Sequence, residues 1–347
     1  MSTGNLTINL KSICENWKAL DHLSANNVET AAVVKADGYG LDAARVAHAL
    51  YNTGVRQFFI AAAEEAASLR SHLSDDIKIY IFSGHMRGDT EIIHDLNLIP
   101  LINSFNQLTR HVETLPGHPF GIQLDTGMNR LGMSQTEWHA VRDTVISLRP
   151  ELVISHLACA DQKDHPSNQK QLKLFHTMTD GLKIKRSLSA TGGILLGPEY
   201  HFDMTRPGIG LYGGAPFEEA KQVIDLSLPV IQTRNLKIGE TVGYGCTWEA
   251  KVPSRIATVA AGYADGIIRS ISPKGQLWAG DVSCEITGRI SMDTIGVDIT
   301  GLDYDPDQLQ IIGLRQNIDD VASMANTIGY EILTSLGSRY TRRYVNQ

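Results

Sequence analysis

A lysine at the junction of an apolar run and a glycine-rich turn, in the segment VVKADGYG, is the first residue of this chain with an evident chemical use. Two valines put Lys35 at the end of a buried strand, and ADGYG then turns the chain sharply. At the mouth of a dry pocket a lysine loses its proton more readily, because desolvation disfavours the ammonium. That is the form an amine needs to make a Schiff base with a carbonyl. A lysine that snorkels from a strand end into water would carry the same local pattern. Tyr39, four residues on, can bring its hydroxyl to the same mouth. The segment RPGIG, beginning at Arg206, sets glycines beside another strand end, where backbone N–H groups can approach an anion. With Thr191 and the glycines of TGG it could hold a phosphate; two tight turns would read the same way. HLACADQKDH holds histidines and carboxylates without a firm ligand spacing, so metal is a minor alternative.

The elements that must position these residues follow from hydrophobic periodicity. β-rich runs recur at residues 31–36, 57–63, 77–83, 98–104, 120–126, 151–158, 186–191 and 204–213. Between most of them lie stretches such as LDAARVAHALYNTG, EEAASLRSHL and NQKQLKLFHTMTDGL, with apolar residues three and four apart. Eight strands with intervening helices predict a (β/α)8 barrel over residues 1–225. Chemistry in such a barrel collects at the C-terminal strand ends. Lys35 ends the first strand, and Asp125 with Arg130 follows the fifth. His156 lies on the sixth, Thr191 ends the seventh, and Arg206 opens the turn at the eighth. Beyond about residue 225 the runs SRIATVAAGYA, VSCEITGRI and LQIIGL are strand-like, and one helix-like piece, DDVASMANTIGYEILTSL, follows. Residues 226–347 are therefore expected to form a second, mainly β domain. The opening strand, about 4–10, is expected to pack with that domain.

Bulk properties narrow the partners. The 347 residues carry a formal net charge of −7, with 42% hydrophobic and 20% charged residues, and no Lys/Arg-rich run. Nucleic acid and acidic membrane surfaces are poor partners for such a chain. No apolar run is long enough to cross a bilayer, and the first residues show no secretory pattern. The four cysteines are scattered without CxxC spacing, as expected of reduced thiols in the cytoplasm.

The segments AVVKADGYG, LDTGMNRLGM, SHLACAD, RPGIGLYGG, VGYGCTW, GYADG, GRISMD and GYEIL appear in the order they take in one family, and the chain resembles alanine racemase along nearly its whole length. VGYGCTW with GRISMD separates racemases from barrel relatives that share only the first domain. The resemblance implies a pyridoxal-5′-phosphate enzyme, a (β/α)8 barrel followed by a β domain, working as a homodimer with shared active sites. It implies that Lys35 carries the cofactor and is the base on the D-amino-acid side. Tyr244, in VGYG, would be the second base, on the L side, reaching in from the other subunit. The residues alone favour a turn tyrosine there, and the resemblance reverses that reading. Arg206 would face the pyridine nitrogen. Tyr39, Thr191, Gly208, Ile209 and Tyr330 would contact the phosphate, and His156 would sit behind the cofactor. Arg130 and the backbone N–H of Met292 would meet the substrate carboxylate, with Tyr263 and Arg289 in the entry channel.

An arginine opposite the pyridine nitrogen cannot supply a proton at working pH. The electron sink is then weak, which suits racemisation and limits side reactions. A decarboxylase of basic amino acids, which places an acid there, fits Arg206 poorly. A lone-barrel carrier of the cofactor fits the β domain with Tyr244 poorly. A racemase of serine or another small amino acid remains the alternative, since a small pocket discriminates weakly against one added hydroxyl. The chain departs from the family pattern twice. Gln123 stands where many members carry a carbamylated lysine, and its amide oxygen is expected to accept from Arg130. Ala190-Thr191 replaces an Asn-Ser pair. The expected role is supply of D-alanine for peptidoglycan, or alanine catabolism.

Overall fold

The computed structural model describes residues 3–272 and 274–346. The chain divides into two compact units, Ile13–Ala220 and Met1–Ser12 together with Lys221–Gln347.

In the first unit short parallel strands form at Glu29–Thr30 continuing as Ala32–Val33, then Gln57–Ile60, Lys78–Ile81, Leu98–Ile102, Gly121–Gln123, Leu152–Ile154, Lys185–Ser187 and Met204–Thr205. Neighbours pair in sequence order from Ala32–Val33 to Lys185–Ser187. Met204–Thr205 pairs in parallel with Glu29–Thr30. The Arg206 amide donates to the Ser189 carbonyl at 2.8 Å, and the Val33 amide donates to the Pro207 carbonyl at 3.0 Å. These bonds close an eight-stranded ring. Phe58, Phe59, Ile60, Ile79, Ile81, Leu101, Ile102, Ile122 and Val153 are buried, as strands covered on both faces require. The return helices start where the sequence offers caps. Asp42 accepts from Arg45 N before Ala43–Thr53, and Ser104 accepts from Gln107 N before Phe105–Thr114. Ser134 and Glu137 form a capping box before Gln135–Ser147. The EEAASLRSHL stretch, which reads as one helix, is a 3-10 turn at Ala63–Glu65 and a short helix at Ala66–Arg70.

The second unit holds an eight-stranded sheet built around the long strand Ile224–Leu236. Its first half pairs with Asn5–Asn9 and with Gln308–Ile312, and its second half with Ser254–Val259. A bulge between Val230 and Gln232 separates the halves. Ser254–Val259 continues through Ile295–Asp298, Val282–Thr287, Gln276–Ala279 and Gln308–Ile312 back to the long strand, so six strands close on themselves. Closure leaves few open edges, a recognised hazard of antiparallel sheets. The late helical stretch is two helices rather than one, Ile318–Ala325 and Gly329–Ser335. Asn326 ends the first in the left-handed region at φ 58, a residue type that tolerates it, and Ile328 is extended.

Candidate active site

Lys35 leaves the first barrel strand into a turn of unusual hand. Ala36, Asp37, Gly38 and Tyr39 have φ between 53 and 63 and ψ between 38 and 50. This is one turn of left-handed helix, which costs about 1–2 kcal/mol at each residue other than glycine. Several contacts offset that cost. The Gly38 amide donates to the Val34 carbonyl at 2.9 Å. Asp37 Oδ1 accepts from Ala43 N at 2.9 Å. The Tyr39 ring stacks on Tyr212 with centroids 4.4 Å apart. Glu65 accepts from Ala36 N and from Ala61 N, each at 2.9 Å. Burial, helped by the charge of Arg130 and opposed by Glu65, holds the Lys35 amine below its usual range. Its Nζ lies 5.7 Å from the centre of the Phe82 ring.

Arg206 follows the adjacent eighth strand and is 1% exposed. One guanidinium nitrogen donates to the Ser187 hydroxyl, and Nη2 donates to the Ser155 carbonyl at 2.7 Å. Burial pushes Arg206 down to about 9, so it remains a cation at neutral pH. His156, two residues past the sixth strand, is pushed down to about 3 by burial and then by Arg206, Arg130 and Lys35, and is therefore neutral. A cationic arginine, a neutral histidine and a lysine shifted toward its free base thus share one end of the barrel.

Thr191 lies beyond the seventh strand and opens the helix Thr191–Leu196 rather than ending the strand. Its hydroxyl accepts from Gly208 N and from Gly210 N, both at 3.2 Å. A Cβ on Gly208 would come within 2.3 Å of the Tyr39 hydroxyl, and one on Gly192 within 2.8 Å of the Ala160 carbonyl oxygen. Ile209 begins the 3-10 turn Ile209–Tyr212 and is buried. Backbone amides, two hydroxyls and side-chain-free approach make a cradle fitted to a phosphate. With a desolvated lysine beside it, this end of the barrel suits pyridoxal phosphate. Ala190, at the N-cap of the helix, contributes no side-chain bond.

Arg130 is exposed on the lasso that leaves the fifth strand and returns at Met133. Asp125 Oδ1 fixes the lasso by accepting from Gly127, Met128 and Asn129 amides at 2.8, 3.0 and 3.1 Å. Gln123 does not meet the expectation placed on it. Its Nε2 donates to the Leu131 carbonyl at 3.4 Å, and its buried Oε1 finds no hydrogen-bond partner among the described residues, Arg130 included. The fifth strand points the amide at the lasso backbone rather than at the exposed guanidinium.

The second unit gathers the remaining candidates. Tyr244 sits in the 3-10 turn Tyr244–Cys246, flanked by Gly243 and Gly245, both at φ 75. Arg289 packs beside that turn: a Cβ on Gly245 would lie 3.4 Å from its Nη1. The Tyr263 amide donates to the Ser291 carbonyl at 3.1 Å, and the Ala264 amide to the Met292 carbonyl at 3.0 Å, which ties the Tyr263 and Met292 segments together. Asp265, fully buried, accepts from Gly262 N at 3.0 Å and from Arg339 Nε and Nη2 at 2.6 and 2.7 Å. Tyr330 is exposed at the start of the helix Gly329–Ser335. Ser155 and Ser187 hold Arg206, Glu65 holds the turn after Lys35, and Arg339 holds Asp265 beside the Tyr263 segment; none carries a signal in local periodicity.

A closed parallel barrel with a lysine and a phosphate cradle at one end, joined to a mainly β unit, defines a pyridoxal-phosphate barrel enzyme. The family of the alanine racemase N-terminal domain matches residues 8–216, and that of the C-terminal domain matches residues 223–344. The chain belongs to the alanine racemase family. An alanine racemase of Cereibacter sphaeroides is 59% identical over 344 residues, covering 99% of both chains. A catabolic alanine racemase of Agrobacterium fabrum is 41% identical over 361 residues, covering 99% of this chain and 92% of that one. Among solved structures, alanine racemase from Bartonella henselae with covalently bound pyridoxal phosphate superposes with a TM-score of 0.95. It is 37% identical, with 99% of this chain and 100% of that one covered. The biosynthetic alanine racemase of Pseudomonas aeruginosa gives 0.93 at 32% identity, with 100% of both covered. No helix among the described residues is long and apolar enough to cross a membrane.

Proposed function

We propose that the protein interconverts L- and D-alanine, with Lys35 and Tyr244 as the two bases and pyridoxal phosphate at the barrel mouth. The observation that carries this reading is a desolvated lysine at a strand end next to that of a buried arginine. Pyridoxal phosphate, when bound, withdraws electrons and so acidifies the Cα–H of an attached amino acid. Lys35 would hold the cofactor and move the proton at Cα on the face that D-alanine presents. Tyr244 moves it on the opposite face. Arg206 keeps its protons and offers only N–H donors, and the neutral His156 would stand behind the cofactor. Tyr39, Thr191, Gly208, Ile209 and Tyr330 would bind the phosphate. Arg130 and the Met292 backbone N–H orient the substrate carboxylate, and Tyr263 and Arg289 line the entry.

The working form in this reading is a cytoplasmic homodimer with two shared sites. Support comes from Tyr244, which is 73% exposed. A proton-transfer base needs a dry, fixed setting, and a two-fold pair of subunits can supply it to both sites at once. D-alanine so made would serve peptidoglycan synthesis or, run the other way, alanine catabolism. The test is incubation of a panel of L-amino acids with cofactor-loaded protein, followed by chiral chromatography. Alanine should be racemised fastest. Loss of optical activity in no amino acid would overturn the reading.

A further inference from the structure

The left-handed turn after Lys35 has one acidic clasp. Glu65 lies just beyond the second barrel strand, in the 3-10 turn Ala63–Glu65. Its Oε1 takes the Ala36 amide, the first N–H after Lys35, and its Oε2 takes the Ala61 amide at the end of the neighbouring strand. Both carboxylate oxygens are therefore spent on the backbone that flanks the lysine. The other bonds of the turn act farther on, at Gly38, Tyr39 and Ala43, and leave Ala36 to Glu65.

We propose that Glu65 is a positioning residue for Lys35: by clasping the Ala36 and Ala61 amides it holds the left-handed turn that aims the amine into the barrel mouth. The inference rests on the reading of Lys35 as the cofactor lysine. The charge of Glu65 acts in the same place. Of the two charges that act on Lys35, Arg130 on its lasso opposes the ammonium and Glu65 favours it.

Glu65→Ala and Glu65→Gln separate these contributions. Glutamine keeps one acceptor oxygen and loses the charge; alanine loses both. In cofactor-free protein, the pH midpoint for labelling of Lys35 by an amine reagent, read by peptide mapping, should fall by roughly half a unit or more in both variants, since a nearby opposite charge is removed. In loaded protein kcat should fall about tenfold or more in Glu65→Ala, and less in Glu65→Gln, as small misplacements of a reacting group cost large factors. Ala36→Gly added to Glu65→Ala should recover part of the loss, because glycine takes the left-handed region freely. Borohydride labelling of a lysine other than Lys35 in the unaltered protein would remove the underlying reading. Labelling at Lys35, with midpoint and kcat unchanged in both variants, would overturn this inference alone. Failure of all three variants to fold would also overturn it, by assigning Glu65 to barrel stability.

Discussion

The two units prepare their candidate groups by opposite means. In the barrel unit Arg206 is almost wholly enclosed and donates to Ser187 and Ser155, and burial shifts Lys35, His156 and Arg206 away from their ordinary titration. In the β unit Tyr244 stands on a glycine-flanked turn, open to solvent, as do Tyr263, Met292 and Tyr330. Enclosure perturbs a group within its own chain; exposure leaves it to be completed by whatever covers it. Barrel residues should therefore report on cofactor and proton chemistry from the fold of their own unit. The β-unit residues should depend on assembly.

The sharpest break between the two is expected at Lys35. Lys35→Ala should abolish both cofactor attachment and racemisation. Unaltered protein loaded with pyridoxal phosphate should be yellow, and borohydride reduction with peptide mapping should place the label on Lys35. A label elsewhere would move the chemistry out of the strand end that burial has prepared.

Tyr244→Phe should leave the cofactor bound and lower racemisation by roughly 10²–10⁴-fold, the usual worth of a general acid–base group. Exchange of the α-hydrogen of D-alanine with solvent should outlast that of L-alanine, and equal loss for both would contradict two one-sided bases. Assembly is tested by mixing. Lys35→Ala and Tyr244→Phe homodimers should both be nearly dead, yet a mixed dimer joins two intact groups at one of its sites. Random reassortment of equal amounts should restore on the order of a quarter of all sites under two-fold symmetry. Mixed dimers that are present and inactive would return Tyr244 to its own chain.

A smaller effect should separate the units by pH. All 12 histidines fall between His22 and His201, within the barrel unit. Two of them form a buried pair: His85 Nδ1 and His111 Nδ1 are 3.2 Å apart, and His111 Nε2 is 3.1 Å from the His118 carbonyl. The carbonyl can only accept, so the proton of neutral His111 is on Nε2 and its Nδ1 accepts from His85. A further proton would set two N–H groups face to face. Burial pushes His111 down to about 4 and also lowers His85. Between the ordinary histidine value and pH 4 the unfolded chain binds more protons than the folded one, so stability is full above pH 6.5 and is lost as pH falls below it. His111 alone should account for about 3 kcal/mol by pH 4. Calorimetry across that range should show the barrel transition falling, with His156 adding to the same loss, while the β unit follows its carboxylates only. A barrel transition flat from pH 7 to 4 would refute the neutral pair.

How far this could be read in advance differs from residue to residue. Most of the barrel strands were legible because fully buried parallel strands are continuous apolar runs, although the seventh, Lys185–Ser187, is polar; Lys35 and Arg206 were legible because a charge at a buried strand end is conspicuous. The turn after Lys35 was not legible in its hand: Ala36 does not announce positive φ, and the side chain that takes its amide is Glu65, 29 positions along the chain. Glu65 itself was hidden in EEAASLRSHL, whose spacing reads only as helical. Asn326 broke the last helix by a cap that periodicity passes over. In each case local pattern yielded to a contact or backbone state that spacing does not encode.

The smallest expected effect lies at Gln123, at the edge between the enclosed barrel and its exposed Arg130. A carbamylated lysine at this position would bring a negative charge to that arginine; glutamine brings none and cannot be carbamylated. Its Nε2 bond to Leu131 is long, and among the described residues its buried Oε1 gains no partner to offset desolvation. An unsatisfied buried acceptor costs about as much as one ordinary hydrogen bond contributes, roughly 1 kcal/mol. Gln123→Met, which keeps volume and removes both polar atoms, should therefore change stability by less than about 1 kcal/mol in either direction. Bicarbonate should leave the activity of the unaltered protein unchanged. A clear gain with bicarbonate, or a loss of several kcal/mol in Gln123→Met by denaturant titration, would mean that Gln123 has a polar partner here after all, and that the enclosed half of the site reaches out to Arg130.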